Sequence, residues 1–219
     1  MKKNKFLEEL LNHRDTIVLL DTNFFIPPRN VKERDFDRYW VSNLLDIFSG
    51  FVLHESVREE MISSRLLFYK DKIRILYDKD LNTNETIRYK TAYKAIKVQL
   101  NVGFSKKFKN VGEAKTLAYM YAKGINSIIS RDSDVIKNIN RDSIRLLFNG
   151  EYGVIHFYEL LYVLRRLNRV DSKILKAFYK AFYPNGIKTD NGREYLKFSD
   201  LVIALDALYG NSVAKMSII

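Results

Sequence analysis

Cysteine is missing from this 219-residue sequence, proline occurs three times and glycine nine times. The lack of thiols excludes disulfides, thiolate nucleophiles and thiolate metal sites, and it fits a reducing compartment. No apolar run approaches the length of a membrane span. The stretch from Phe6 to Leu11 carries Glu8 and Glu9, so it is too short and too acidic for a signal peptide. We therefore expect a cytoplasmic protein that does not enter a membrane.

Apolar side chains are abundant instead, because hydrophobic residues make up 47% and aromatic residues 13% of the chain. A chain of this length and composition can bury a substantial core without disulfides, which predicts a globular protein. The sequence contains no internal repeat, no low-complexity tract and no linker that would mark a domain boundary. We therefore expect packed structure throughout.

Positive charge exceeds negative charge by 11 over the whole chain. The excess is concentrated between residues 65 and 110, which contain twelve Lys and Arg residues but only four Asp and Glu residues. A local basic segment favours a polyanionic partner, because binding to phosphates releases their counterions. The charge pattern therefore predicts a nucleic-acid-binding face in this segment.

Hydrophobic spacing predicts helices and strands in alternation. Strands are predicted at residues 16–20, 51–54, 125–130 and 153–157. Helices are predicted at 6–11 and 35–49, from 55 and from 83 onward, and at 112–122, 158–167, 171–182 and 199–209. Such alternation is typical of an α/β fold with a mostly parallel sheet and right-handed connections.

Two acidic residues follow predicted strands. Asp21 comes directly after an apolar run, and Asp132 follows Ser130 after one intervening residue. Open α/β sheets place functional residues beyond the carboxyl ends of their strands. We therefore expect Asp21 and Asp132 at the same edge of the sheet, where converging carboxylates would suit Mg²⁺ or Mn²⁺.

Each candidate acid also has an ordinary structural interpretation. Asp21 could open a turn, and Glu60 could be a solvated helix residue. Glu113 could complement the positive end of its own helix, and Asp132 and Asp134 could cap the helix that follows. No single acid therefore establishes a site.

The order of four segments resembles the PIN domain nuclease family. These segments are residues 17–23 (IVLLDTN), 51–61 (FVLHESVREEM), 112–114 (GEA) and 130–134 (SRDSD). In that family an apolar strand ends in an Asp-Thr-Asn-like motif, and a second strand leads into a helix with a Glu before an apolar residue. A third acid opens a helix, and a fourth follows a strand.

The resemblance covers roughly residues 15–168 and implies an α/β/α sandwich of three layers around a central, mostly parallel sheet. It implies a PIN-like nuclease domain over residues 1–170, with a basic helical arm at about 65–110. The helices of residues 171–219 would form an extension packed on the same domain. This arm is longer than in compact family members, and the third acid is Glu rather than the commoner Asp.

The resemblance also implies a metal-dependent endonuclease that hydrolyses phosphodiester bonds, usually in RNA, with Mg²⁺ or Mn²⁺ as the cofactor. The catalytic and metal-binding carboxylates would be Asp21, Glu60, Glu113 and Asp132, with Asp134 as an additional metal ligand and Asn23 and Ser130 as supporting polar groups. Glu59 is the alternative to Glu60 as the residue that faces the site.

The nucleic acid is expected to contact basic residues of the arm, with RNA preferred to DNA. These residues are Arg88, Lys90, Lys94, Lys97, Lys106, Lys107 and Lys109. A non-catalytic RNA-binding or scaffold protein, a toxin-type ribonuclease held by an antitoxin or other inhibitor, and a structure-specific DNA nuclease remain open alternatives. A homodimer is open as well.

Histidine is scarce, and its spacing predicts no metal site. His13, His54 and His156 are far apart in the sequence and share no metal-ligand spacing. We therefore expect all three to have structural roles.

Overall fold

The computed structural model describes residues 1–61, 69, 71–99, 111–132, 135–136, 139, 151–188, 192 and 194–216. The chain divides into two compact units. The helical unit comprises residues 1–16, 25–49 and 155–219, and the sheet unit comprises residues 17–24 and 50–154.

A five-stranded parallel sheet confirms the predicted α/β class. Its strands are β1 (Val18–Leu20), β2 (Phe51–His54), β3 (Arg74–Leu76), β4 (Ser127–Ile129) and β5 (Gly153–Ile155). They lie in the order β3-β2-β1-β4-β5, and β1 pairs in parallel with both β2 and β4. All residues of β1, β2 and β4 are buried, so these strands are continuous apolar runs.

The strand order creates a switch point in the middle of the sheet. From β1 the chain adds β2 and then β3 on one side, and it returns to the other side of β1 to add β4 and β5. The connections that leave β1 and β4 therefore diverge. In open α/β sheets such a divergence opens a crevice beyond the carboxyl ends of the two strands, and ligands bind there.

In the part of the sheet unit that the structure describes, three helices accompany these strands. They are α4 (Glu55–Glu60), α5 (Thr83–Gln99) and α6 (Val111–Lys123). Ala92 and Ile96 of α5 are buried in one core cluster with Ala114 and Leu117 of α6. The α6 helix ends at Gly124, whose φ of 68° is easily adopted only by glycine.

The helical unit contains most of the remaining helices. They are α1 (Lys5–Asn12), α2 (Glu33–Phe36), α3 (Asn43–Ile47), α7 (Phe157–Arg166), α8 (Ser172–Phe182) and α9 (Phe198–Met216), with a π-helix (Asp37–Ser42) between α2 and α3. An aromatic cluster forms its core, in which Trp40 contacts both Phe157 and Phe182. The helices predicted at 171–182 and 199–209 correspond to α8 and α9.

Two short elements were not predicted from the sequence. One is β3 at the edge of the sheet, and the other is an antiparallel hairpin of β6 (Ile187–Lys188) and β7 (Glu194–Tyr195). Among the described residues, no helix is both long enough and apolar enough to cross a membrane.

Candidate metal centre

Asp21 lies directly beyond β1, at the switch point of the sheet. Its side chain is only 4% exposed. The Ser130 hydroxyl donates a hydrogen bond to Asp21 Oδ2 at 2.6 Å, and the Asn23 amide donates to the same oxygen at 3.0 Å. Burial raises the pKa of Asp21, and the nearby Asp132 charge raises it further, while the Ser130 and Asn23 hydrogen bonds oppose the shift. A bound cation would offset the cost of ionising this carboxyl group.

Asp132 approaches Asp21 because their strands are neighbours. Leu20 of β1 pairs with Ile129 of β4, so Asp21 and Ser130 both follow directly at the carboxyl edge. The backbone N–H of Asp132 donates to Ser130 Oγ at 2.9 Å. The Ser130 hydroxyl therefore links the two acids.

Glu60 is connected to the same edge through Thr22. Thr22 follows Asp21 in the chain, and its hydroxyl donates to Glu60 Oε2 at 2.6 Å. The Glu60 carboxylate also lies against Gly112, where an added Cβ would overlap Oε1 and lie 2.8 Å from Cδ. Glu60 rather than Glu59 therefore faces the site, and it lies beside the first turn of α6, which carries Glu113.

The four predicted acids lie along the carboxyl edge of the sheet and on the first turn of α6, and they do not form a closed cage. Within the described part of the chain, these four do not bring three ligand atoms within 4.8 Å of one another. The fifth predicted acid, Asp134, lies outside the described residues.

Comparison with protein-family models, curated proteins and solved structures finds no match to this chain. The case for a function therefore rests on the geometry of the site and on the sequence pattern.

A second group of side chains at the same sheet edge can hold a metal ion. His54 ends β2, Glu55 begins α4 and Asp78 follows β3, and one ligand atom from each lies within 4.8 Å of the others. The sequence did not indicate this group, because His54 was expected to have a structural role and Asp78 contributed only to the charge of residues 65–110. The adjacent His and Glu at a predicted strand end were the available signal, but Asp78 joins them only through the β2–β3 pairing.

Basic residues line one face of α5. Lys90, Lys94 and Lys97 are exposed, and their spacing puts them on a single helical stripe. Arg88 is also exposed, but its guanidinium donates to the carbonyl of Tyr121 at 3.1 Å. Lys106, Lys107 and Lys109 lie outside the described residues.

The axial position of this basic stripe follows from the antiparallel packing of α5 and α6. Lys123 near the end of α6 donates to Glu85 near the start of α5, at 2.8 Å, and Arg88 reaches Tyr121. Continuing this alignment along two helices of equal rise brings Lys97 level with about residue 112. Along the helix axis, the stripe therefore ends level with the turn that carries Glu113.

Proposed function

We propose that this protein is a metal-dependent nuclease of the PIN-like type that cleaves phosphodiester bonds, with RNA as the preferred substrate. The observation that carries the proposal is the buried Asp21 carboxylate at the switch point, with Asp132 beside it. Burying an acid costs free energy unless a positive charge compensates it. The assignment of the α/β fold to a PIN-like three-layer sandwich belongs to the same proposal.

The donor set fits Mg²⁺ or Mn²⁺. Both ions prefer oxygen ligands, and Mg²⁺ uses few carboxylates because it keeps several of its waters. Asp21 and Asp132 would bind the ion directly, and Glu60 and Glu113 would bind it or its waters from the other side of the edge. Such an ion supplies an activated water and stabilises the leaving oxygen of the phosphodiester.

The protein's own residues orient the carboxylates and the substrate. The Ser130 hydroxyl and the Asn23 amide fix the Asp21 carboxylate in one rotamer, so that little reorganisation is needed when a substrate binds. Thr22 holds Glu60 in the same way. The stripe of Lys90, Lys94 and Lys97 would bind successive backbone phosphates and direct the strand toward the acids.

A cleavage assay tests this proposal. Single-stranded RNA and DNA of the same sequence are incubated with Mg²⁺, with Mn²⁺ or with EDTA, using wild type, Asp21→Asn and Asp71→Asn. We expect metal-dependent cleavage by wild type and by Asp71→Asn, which removes an exposed charge from the sheet unit. Asp21→Asn should lose cleavage by about 100-fold or more, because each well-placed electrostatic group is worth that much in rate.

The other outcomes of the assay are equally informative. Undiminished cleavage by Asp21→Asn would remove Asp21 from the active site. Tight binding of RNA without cleavage under any metal condition would favour the non-catalytic RNA-binding alternative, for which the exposed lysine stripe is the supporting observation.

A further inference from the structure

His54, Glu55 and Asp78 bring one imidazole and two carboxylates together at the carboxyl ends of β2 and β3. His54 Nε2 and Asp78 Oδ1 are 3.1 Å apart. Glu55 Oε1 accepts the backbone N–H of Asp78 at 2.8 Å, so Glu55 is fixed next to the pair. This group is separate from the carboxylates around Asp21, and it differs from them chemically because it includes a nitrogen donor.

The His54 ring is held rigidly. It is fully buried, and the Tyr119 ring packs on it with a centroid distance of 4.8 Å. Its Nδ1 atom lies 2.7 Å from Ser56 Oγ and 3.3 Å from the Ser56 backbone nitrogen. Ser56 Oγ is also 3.2 Å from the carbonyl of Gly112, to which it can donate. A polar group thus lies at each ring nitrogen, with Ser56 at Nδ1 and Asp78 at Nε2.

The gap between His54 Nε2 and Asp78 must contain a positive centre. A bare nitrogen lone pair and a carboxylate oxygen repel each other at 3.1 Å, so either a proton or a metal ion lies between them. When the backbone N–H of Ser56 donates to Nδ1, the ring proton is on Nε2 and fills this gap. When the ring proton is on Nδ1 instead, Nδ1–H donates a hydrogen bond to Ser56 Oγ, and the Ser56 hydroxyl donates to the carbonyl of Gly112. The lone pair of Nε2 is then available to bind a metal.

The Asp78 carboxylate can accept a hydrogen bond from His54 or bind a metal ion. The Tyr89 hydroxyl donates to Asp78 Oδ2 at 3.0 Å, which leaves Oδ1 directed at His54. The side chain of Asp78 is 35% exposed, so an ion can reach the group from solvent.

We propose that His54, Glu55 and Asp78 form a second metal site, which binds a divalent ion that accepts imidazole, such as Mn²⁺ or Zn²⁺. Metal ligands of this kind bond at about 2.0–2.2 Å, so two ligands of one ion lie at most about 4.4 Å apart. The three ligand atoms already lie within 4.8 Å of one another, so an adjustment of at most about 0.4 Å brings them within this limit. The hydrogen bond from Nδ1 to Ser56 Oγ supplies the orienting contact that metal-binding histidines require.

Metal binding at this site leaves the ring neutral. The ring proton moves from Nε2 to Nδ1, and Nε2 binds the ion. At Nδ1, the hydrogen bond accepted from the Ser56 backbone N–H is replaced by one that Nδ1–H donates to Ser56 Oγ. None of its three ligands is one of the four carboxylates assigned to the nuclease site, so binding at this site can be tested without a cleavage assay.

Pulsed electron paramagnetic resonance of bound Mn²⁺ tests the site directly, because a coordinated imidazole gives a nitrogen modulation that carboxylates do not. The measurement uses full-length Asp21→Asn protein, in which the other metal centre is weakened. We expect nitrogen modulation in this background and its loss on adding His54→Gln. It should persist on adding His13→Gln or His156→Gln, which are the matched histidine controls.

Isothermal titration with Mn²⁺ and with Zn²⁺ gives an independent measurement in the same background. Adding Asp78→Asn or Glu55→Gln keeps the side-chain shape and removes one charged ligand, so we expect affinity to fall at least about tenfold. Circular dichroism confirms that each variant is folded. Absence of nitrogen modulation, its persistence in a folded His54→Gln protein, or unchanged affinity in both carboxylate variants would overturn the proposal. None of these outcomes depends on whether the protein cleaves RNA.

Discussion

Gly112 is the residue that allows Glu60 to approach α6. Any side chain at this position would occupy the space of the Glu60 carboxylate. Glu60 is exposed and can rotate away at low cost, so the conflict affects the site rather than the fold. The effects of Gly112 on stability and on function can therefore be separated experimentally.

Gly112→Ala should keep the protein stable while impairing the site. We expect the free energy of unfolding to change by less than about 1 kcal/mol, because alanine is the better helix former. Cleavage should fall by about 10-fold to 100-fold, since displacing a ligand by about 1 Å can cost that much. Denaturant unfolding and the cleavage assay measure the two quantities.

Gly210→Ala is the control for this change. It lies in α9, where the added Cβ would meet its nearest atom, Asp206 Oδ1, at an ordinary 3.8 Å. Both quantities should stay near wild type, apart from a small gain in stability. Full cleavage by Gly112→Ala would show that the position of Glu60 is unimportant.

Glu159 is a fully buried carboxyl group in the helical unit. It accepts the backbone N–H of His156 at 2.8 Å and the Asn4 amide at 2.9 Å. Burial nevertheless raises the pKa of Glu159 from 4.5 to about 7. As the pH rises, the unfolded chain releases this proton before the folded protein does, so the folded state becomes relatively less stable.

Glu159→Gln should remove this pH dependence. Between about pH 4.5 and pH 7 the wild type should lose stability relative to the variant, by an upper bound of about 3 kcal/mol. The difference should then level off above pH 7. Urea unfolding of both proteins across this range is the measurement, and parallel curves would contradict a raised pKa for Glu159.

At the level of elements, the antiparallel pair of α5 and α6 connects the basic segment to the acids. The apolar stripe of α5 is buried against α6, whereas Lys90, Lys94 and Lys97 stay exposed. Binding energy from such a stripe comes from counterion release and carries no base specificity. The stripe should therefore affect affinity and its salt dependence more than the choice of sequence.

Replacing Lys90, Lys94 and Lys97 with Gln should weaken binding to single-stranded RNA. The slope of log affinity against log salt concentration should become less negative by about 2, because each of the three lost phosphate contacts contributes about 0.7 to that slope. Lys173, Lys176 and Lys180 form a comparable exposed stripe on α8 and provide the control with the same charge change. An equal effect of both triple variants would mean that only net charge matters.

Most elements could be predicted from the sequence, and the exceptions have physical reasons. The buried strands are uniform apolar runs, and Gly124 marks the end of α6 as its position suggested. The edge strand β3 has one exposed and two half-buried residues, so it shows no apolar run. The strands of the hairpin have only two residues each, which is too short for any periodicity.

The same limitation explains which site residues were missed. Asp21 and Asp132 each follow an apolar strand, so the sequence alone indicated their shared edge. The His54 group depends on β3, which brings Asp78 to within hydrogen-bonding distance of a residue 24 positions earlier. Without that strand, nothing in the spacing linked the two residues.

At the scale of the whole molecule, the sheet order decides where chemistry can occur. The divergence between β1 and β4 exposes the ends of two buried strands, and both strands deliver an acid there. Burial and the neighbouring Asp132 disfavour the ionised form of Asp21, and under the proposed function this is a stability cost accepted for the sake of metal binding. The effect of a cation on the stability of the folded protein therefore tests the metal centre at Asp21 most directly.

Thermal unfolding of wild type and Asp21→Asn, with and without Mn²⁺, tests the central claim. Without metal, Asp21→Asn should be at least as stable as wild type, because it relieves a buried charge and keeps the acceptor for Ser130. With Mn²⁺ at about 100 times the Kd of the Asp21 centre, the wild type should gain about 2.7 kcal/mol more than Asp21→Asn, which keeps the His54 group. Equal gains in the two proteins, or no gain in either, would contradict a metal centre at Asp21.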